Sequence, residues 1–158
     1  MIDRILSNLK IVSLNEMQNV AIKSAATHDT IILSPTGTGK TLAFLIPVLK
    51  RLDKSITGVQ ALILVPSREL ALQIEQVFKA MGTGFKVNCC YGGHPVKTEK
   101  NNLIQAPSVL IGTPGRIAYH IRHENFETGG IHTLILGQEN AKKKCRLGDI
   151  NRRCRGRR

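Results

Sequence analysis

The chain has 158 residues, 42% of them hydrophobic and 4% aromatic, with no Trp and a formal net charge of +12. This is enough for one folded domain with an aliphatic core, and no apolar run approaches the length of a membrane span. The charge is uneven: 141–158 hold nine of the 23 basic residues and one of the 11 acids, so a mildly basic body precedes a strongly basic tail, pointing to a polyanionic partner or to a tail foreign to the domain.

In chain order, MIDRILSNLK lacks the apolar core and cleavage site of a secretory signal, so a cytoplasmic location is expected. Ser13 and Glu16 form a capping-box pattern for a helix over about 14–27. TIILS (30–34) reads as a strand leading into SPTGTGKT (34–41) and a helix over 40–53, which Pro47 should bend or weaken. VQALILV (59–65), FKVNCCY (85–91), SVLIG (108–112) and IHTLIL (131–136) read as further strands, and helices are expected at 67–81, 95–105 and 114–124. Thr113 and Pro114 supply a helix start for the last of these. Strands that are continuously apolar and alternate with helices predict an α/β fold, with an open, mainly parallel sheet flanked by helices.

Cysteines 89, 90, 145 and 154 form no CxxC pair, so neither a zinc site nor a disulfide framework is read. His120 and His123 could share a helix face, but no acidic or Cys partner accompanies them, and a solvated face is expected.

SPTGTGKT carries the first chemical signal. Gly37 and Gly39 permit a backbone whose N–H groups converge on phosphate oxygens, and the next helix adds its positive end. Lys40 can reach the β- and γ-phosphates, and the Thr41 hydroxyl can ligate Mg²⁺. Ser34 stands where the strict GxxxxGK[ST] pattern has Gly; Pro35, Thr36 and Thr38 fill the spacer. The alternative is a glycine turn beside an exposed lysine.

Further stretches agree in order with one family. The variant loop resembles motif I of the DEAD-box RNA helicases, PSRELALQ (66–73) their motif Ia, Gly92 and Gly93 their glycine doublet, and TPGR (113–116) their motif Ib. Gln18 falls about where the family places its adenine-reading glutamine. Its context departs, since Leu14 and Asn15 occupy the usual Pro-Thr positions and Lys10 the usual Gly.

The resemblance covers about residues 5–136 and implies the family's first RecA-like domain, a P-loop fold incomplete at its C-terminal end. It implies ATP and Mg²⁺ as cofactors, bound by Gln18, Ser34–Thr41 and, for the metal, Thr41. It also implies sequence-independent contact of Pro66, Arg68, Gly93, Thr113, Gly115 and Arg116 with RNA phosphates and sugars. The alternative for Arg68 is a pair with Glu69 or Glu75, and for the glycine doublet a plain tight turn.

The family continues LILDEAD, the aspartate holding Mg²⁺ through water and the glutamate activating the attacking water. Here LIL (134–136) is followed by Gly137 and Gln138, and Glu139 lies about 6–7 Å too far along for the role. No catalytic residue of that motif is intact, and neither a Ser-Ala-Thr motif nor a second RecA-like domain follows. Hydrolysis is therefore expected to be severely impaired, and the missing next strand to leave a sheet edge open to self-association. The basic segment 137–158 is expected to be disordered, either as an RNA-binding arm or as a translated wrong frame. Two other classes stay open: a non-catalytic RNA-binding or interfering protein, and another P-loop enzyme such as a GTPase or small-molecule kinase, although no NKxD-type sequence is present.

Overall fold

The computed structural model describes residues 1–137, so the Gln138 reading and nearly all of the basic tail lie outside the described residues. In chain order the elements are α1 (Ile2–Asn8), α2 (Glu16–Ser24), α3 (Lys40–Arg51), β1 (Ala61–Leu64), α4 (Arg68–Ala80), β2 (Val87–Cys90), α5 (Val96–Ile104), β3 (Val109–Gly112), α6 (Pro114–Arg122) and β4 (Thr133–Leu136). The strands form one all-parallel sheet in the order β2-β3-β1-β4.

Strand alternation builds a core on each face of this sheet. Ala61, Ile63, Val65, Val109 and Ile111 pack under α1–α4 with Leu45, Ile46, Ile74 and Phe78. Leu62, Leu64 and Leu110 point the other way, against Leu103 of α5 and Ile117 of α6. The result is the helix–sheet–helix sandwich expected of continuously apolar parallel strands.

Three expectations need correction, and one element was missed. TIILS (30–34) is not a strand: it makes no ladder, and Ile31 and Leu33 are 85% and 84% exposed. Among the described residues a strand here could pair only at an edge of the sheet, beside β2 or β4, and a lone edge ladder returns little for ordering the segment. The α2 capping box is Asn15 with Gln18, not Ser13 with Glu16. Pro47 lies inside α3, which runs on to Arg51 with Ile46 and Val48 fully buried on either side of it. Helix α1 was not anticipated, because its seven residues anchor through one buried side chain, Ile5. His120 is not on a solvated face but fully buried.

In a parallel sheet every strand ends on the same side, so the segments after β1, β2, β3 and β4 share one edge. These are Pro66–Arg68, Gly92–His94, Thr113–Arg116 and Gly137. The outer edge of β4 is unpaired among the described residues, with Leu134 and Leu136 partly exposed.

Candidate functional site

The glycine-rich loop is folded onto itself. Lys40 Nζ donates to the carbonyls of Ser34, at 2.6 Å, and Pro35, at 2.5 Å. The Ser34 and Thr38 hydroxyls meet at 2.7 Å, and Thr38 also donates to Pro35 O at 2.9 Å. Gly37 and Gly39 both sit at φ +82°, the left-handed region that glycine enters freely. Gly39 also starts α3, and a Cβ there would overlap Gln18 Nε2.

Gln18 is buried, and its amide is already engaged. Its Oε1 accepts from the Asn15 N–H at 2.9 Å, and its Nε2 donates to Gly39 O at 3.0 Å. It therefore ties the start of α2 to the end of the loop, and reading an adenine edge would require these bonds to rearrange. Asn15 Nδ2 adds a bond to Thr38 O at 3.1 Å.

The loop's donor set fits a polyphosphate: two glycines in left-handed geometry, the start of α3 and a lysine now spent on carbonyl oxygens that phosphate would replace. A magnesium ion fits less fully. Thr41 offers a hydroxyl, while Gly137 at the end of β4 has no side chain. A Cβ at Gly137 would lie 3.1 Å from Val65 Cγ1, a contact a small shift of that valine would accommodate.

Across the edge, Gly92, Thr113, Gly115 and Arg116 line an open concavity of about 410 Å³, together with Tyr119 and Arg122. The last two were missed in the sequence; their signal was their spacing, one and two turns beyond Gly115 on α6. Tyr119 stacks on His123 with ring centroids 4.0 Å apart. Gly93 takes φ +85° in the turn. Arg68 pairs with neither Glu69 nor Glu75: its guanidinium lies 5.1 Å from the Tyr91 ring centre, and Glu75 is taken by Lys79 at 3.0 Å. Ser67 caps α4 by accepting from the Leu70 N–H at 3.3 Å.

Behind this surface lies a buried polar cluster. Glu99 of α5 accepts from the Tyr91 N–H at 3.0 Å and meets His120 Nε2 at 2.7 Å and Arg116 Nε at 3.5 Å. Arg116 also donates to His94 O at 3.0 Å, and its side chain is only 14% exposed. Asn125 Nδ2 reaches His120 Nδ1 at 2.9 Å, so the neutral Nε2–H tautomer satisfies both ring nitrogens.

Cys90, Glu99 and His120 sit close enough together to suggest a metal site. Their chemistry argues for an internal network instead. Both ring nitrogens of His120 and both oxygens of Glu99 are already engaged by protein groups. Arg116 already supplies the cation that Glu99 requires.

Residues 15–137 match the sequence profile of the DEAD/DEAH box helicases. The chain is 42% identical over 113 residues to an ATP-dependent RNA helicase eIF4A of Mycosarcoma maydis, covering 70% of this chain and 28% of that protein. It is 40% identical to the eIF4A of Pyricularia oryzae with the same coverage, so it spans little more than a quarter of these relatives. Among solved structures it resembles a hypothetical ATP-dependent RNA helicase from Sulfolobus tokodaii, with TM-score 0.73 and 25% identity, over 86% of this chain and 41% of that one. It also resembles the yeast DEAD-box splicing factor Prp28, with TM-score 0.72 and 29% identity, over 84% of this chain and 34% of that one. No helix among the described residues is long and apolar enough to cross a membrane.

Proposed function

The chain belongs to the DEAD/DEAH box helicase family, and we propose that it acts as a first RecA-like domain that binds ATP and RNA but turns over little or no ATP. The observation that carries this reading is the donor set of the glycine-rich loop, Gly37 and Gly39 in left-handed geometry with Lys40 at the start of α3, beside which the loops after β2 and β3 form a concavity of their own. Ser34–Thr41 would hold the nucleotide, Lys40 the outer phosphates, and Thr41 with phosphate oxygens a Mg²⁺ ion. Gln18 would select adenine once its bonds to Asn15 and Gly39 rearrange.

Pro66, Arg68, Gly93, Thr113, Gly115 and Arg116 would form the RNA side, joined by Tyr119 and Arg122. Contacts through backbone amides, hydroxyls and guanidinium groups carry no base sequence, so binding would be sequence-independent. Gly137 offers no carboxylate where the family has aspartate, and the loss of such charge stabilisation lowers hydrolysis by orders of magnitude. Unwinding of a duplex, by the resemblance, requires a second RecA-like domain as well. The open β4 edge would suit self-association, and a cytoplasmic location agrees with the reading.

The test is binding of a fluorescent ATP analogue and of a labelled single-stranded RNA to the full chain and to Lys40→Ala. Removing a charge-assisted phosphate contact should weaken nucleotide binding about 10- to 100-fold, and RNA affinity should respond to ATP. Salt-sensitive RNA binding indifferent to both nucleotide and Lys40→Ala would instead favour a non-catalytic RNA-binding protein. Preference for GTP would favour another class of P-loop enzyme.

A further inference from the structure

Glu99 lies outside every motif and is 1% exposed, yet its carboxylate joins the elements that carry the RNA side of the site. Helix α5 buries just Glu99 and Leu103, so much of its docking passes through this one acid. Oxygen Oε1 holds the Tyr91 N–H where β2 gives way to the Gly92–Gly93 turn. Oxygen Oε2 holds His120 and faces Arg116 Nε, both on α6. Arg116 then reaches back to His94 O, closing a ring from turn to helix and back to the turn. Tyr91 extends it to the third loop, because Arg68 stacks on its ring.

We infer that Glu99 is a positioning residue for RNA binding: its buried charge fixes Arg116 and thereby the spacing of the Gly92–His94 turn and the Thr113–Arg116 loop. The inference rests on the RNA reading proposed above. The mechanism is electrostatic. Arg116 is the permanent cation facing Glu99 Oε2, while His94 Nδ1 lies 3.6 Å from Oε1, so the guanidinium is the main compensation of this carboxylate in a dry setting. A neutral residue of the same shape leaves Arg116 without its counter-charge and free to turn toward solvent. Arg116 is then a brace as well as a member of the RNA side, where the backbone of the turn, Thr113, Gly115 and Arg122 meet the phosphates with it.

Glu99→Gln is the discriminating variant. Its carbonyl can still accept the Tyr91 N–H, and its amide can donate to His120 in the other tautomer once the Asn125 amide turns its oxygen toward Nδ1, so the packing survives while the charge is lost. The full chain and Glu99→Gln are compared by anisotropy with a labelled single-stranded oligoribonucleotide, by binding of a fluorescent ATP analogue, and by the ¹⁵N–¹H signal of Arg116 Nε. Expected are an RNA dissociation constant raised about tenfold, unchanged nucleotide affinity, and a protected Nε–H signal that collapses into the solvent-exchanging pool. RNA binding within twofold of the parent, or an unmoved Nε signal, overturns the inference. If the unaltered chain binds no RNA in any nucleotide state, the RNA reading falls and this inference falls with it. If it binds and Glu99→Gln binds equally, the inference alone falls.

Discussion

Gly112 is the position where one methyl group should do the most damage. It ends β3 directly before the Thr113–Arg116 loop, and its φ is not in the left-handed region, so alanine is acceptable to the backbone. The obstacle is steric. A Cβ there would overlap the Cys90 carbonyl oxygen and come within 2.7 Å of Ile117 Cδ1. Ile117 can shift, but the Cys90 carbonyl is fixed, accepting the Thr113 N–H at 3.1 Å as β2 and β3 end together. Overpacking of this kind costs about 1–3 kcal/mol, and a displaced ladder bond adds about 1 kcal/mol. Gly112→Ala should therefore destabilise by about 2–4 kcal/mol, a large part of the roughly 5–15 kcal/mol expected of a domain. Urea unfolding followed by circular dichroism measures this as a lower midpoint at unchanged slope. Adding Ile117→Val should recover less than half, because the carbonyl clash remains. A loss below about 0.5 kcal/mol, or full recovery with Ile117→Val, would refute the packing argument.

Three further outcomes follow from other parts of the molecule. Burial raises the Cys90 thiol from 9.0 to about 12, with Glu99 adding to the rise and Arg116 opposing it, and burial raises Cys89 as well. Since the folded value lies above the unfolded one, this stability is complete below pH 9.0 and is lost as pH climbs toward 12; Cys90→Ala should flatten part of that decline in urea midpoints, and an identical pH profile would count against the burial. Lys10 sits at φ +56°, in left-handed backbone where the resemblance puts glycine, so Lys10→Gly should stabilise by about 0.5–1 kcal/mol in the same assay. Arg122 lines the concavity beside Thr113 and Gly115, and Arg122→Ala should weaken RNA binding and reduce the log–log salt slope by about one; an unchanged slope would remove it from the interface.

What could be read from the sequence was what local pattern encodes. Helices α3, α4 and α6 carry strong apolar periodicity and start signals within two or three residues, and they fall where expected. The strands β1 to β4 are apolar runs that each find a partner. TIILS has the same composition but no pairing, and composition alone does not report whether a neighbour exists. The capping box was read at Ser13 with Glu16, whereas Asn15 takes it with Gln18, whose amide also reaches Gly39 through a contact that no local pattern shows. The Glu99 cluster was invisible for a different reason. Its members come from β2, α5 and α6, with His120 21 residues from Glu99, so no local pattern links them.

The two halves of the site differ in how much they must change on binding. The proposed RNA side is braced without any ligand: Glu99, Arg116 and Tyr91 link three loops. The nucleotide side is not. Lys40 is spent on the Ser34 and Pro35 carbonyls, Gln18 on Asn15 and Gly39, and the segment leading into the loop has no ladder to hold it. A nucleotide would have to exchange those bonds for its own, so part of its binding energy would go into rearrangement. Weakened nucleotide binding is the expected outcome, measurable as a higher dissociation constant for a fluorescent ATP analogue than a loop with a free lysine would give. The RNA side has no such toll on its scaffold, and its affinity should depend on charge and on the integrity of the Glu99 network rather than on folding of a loop.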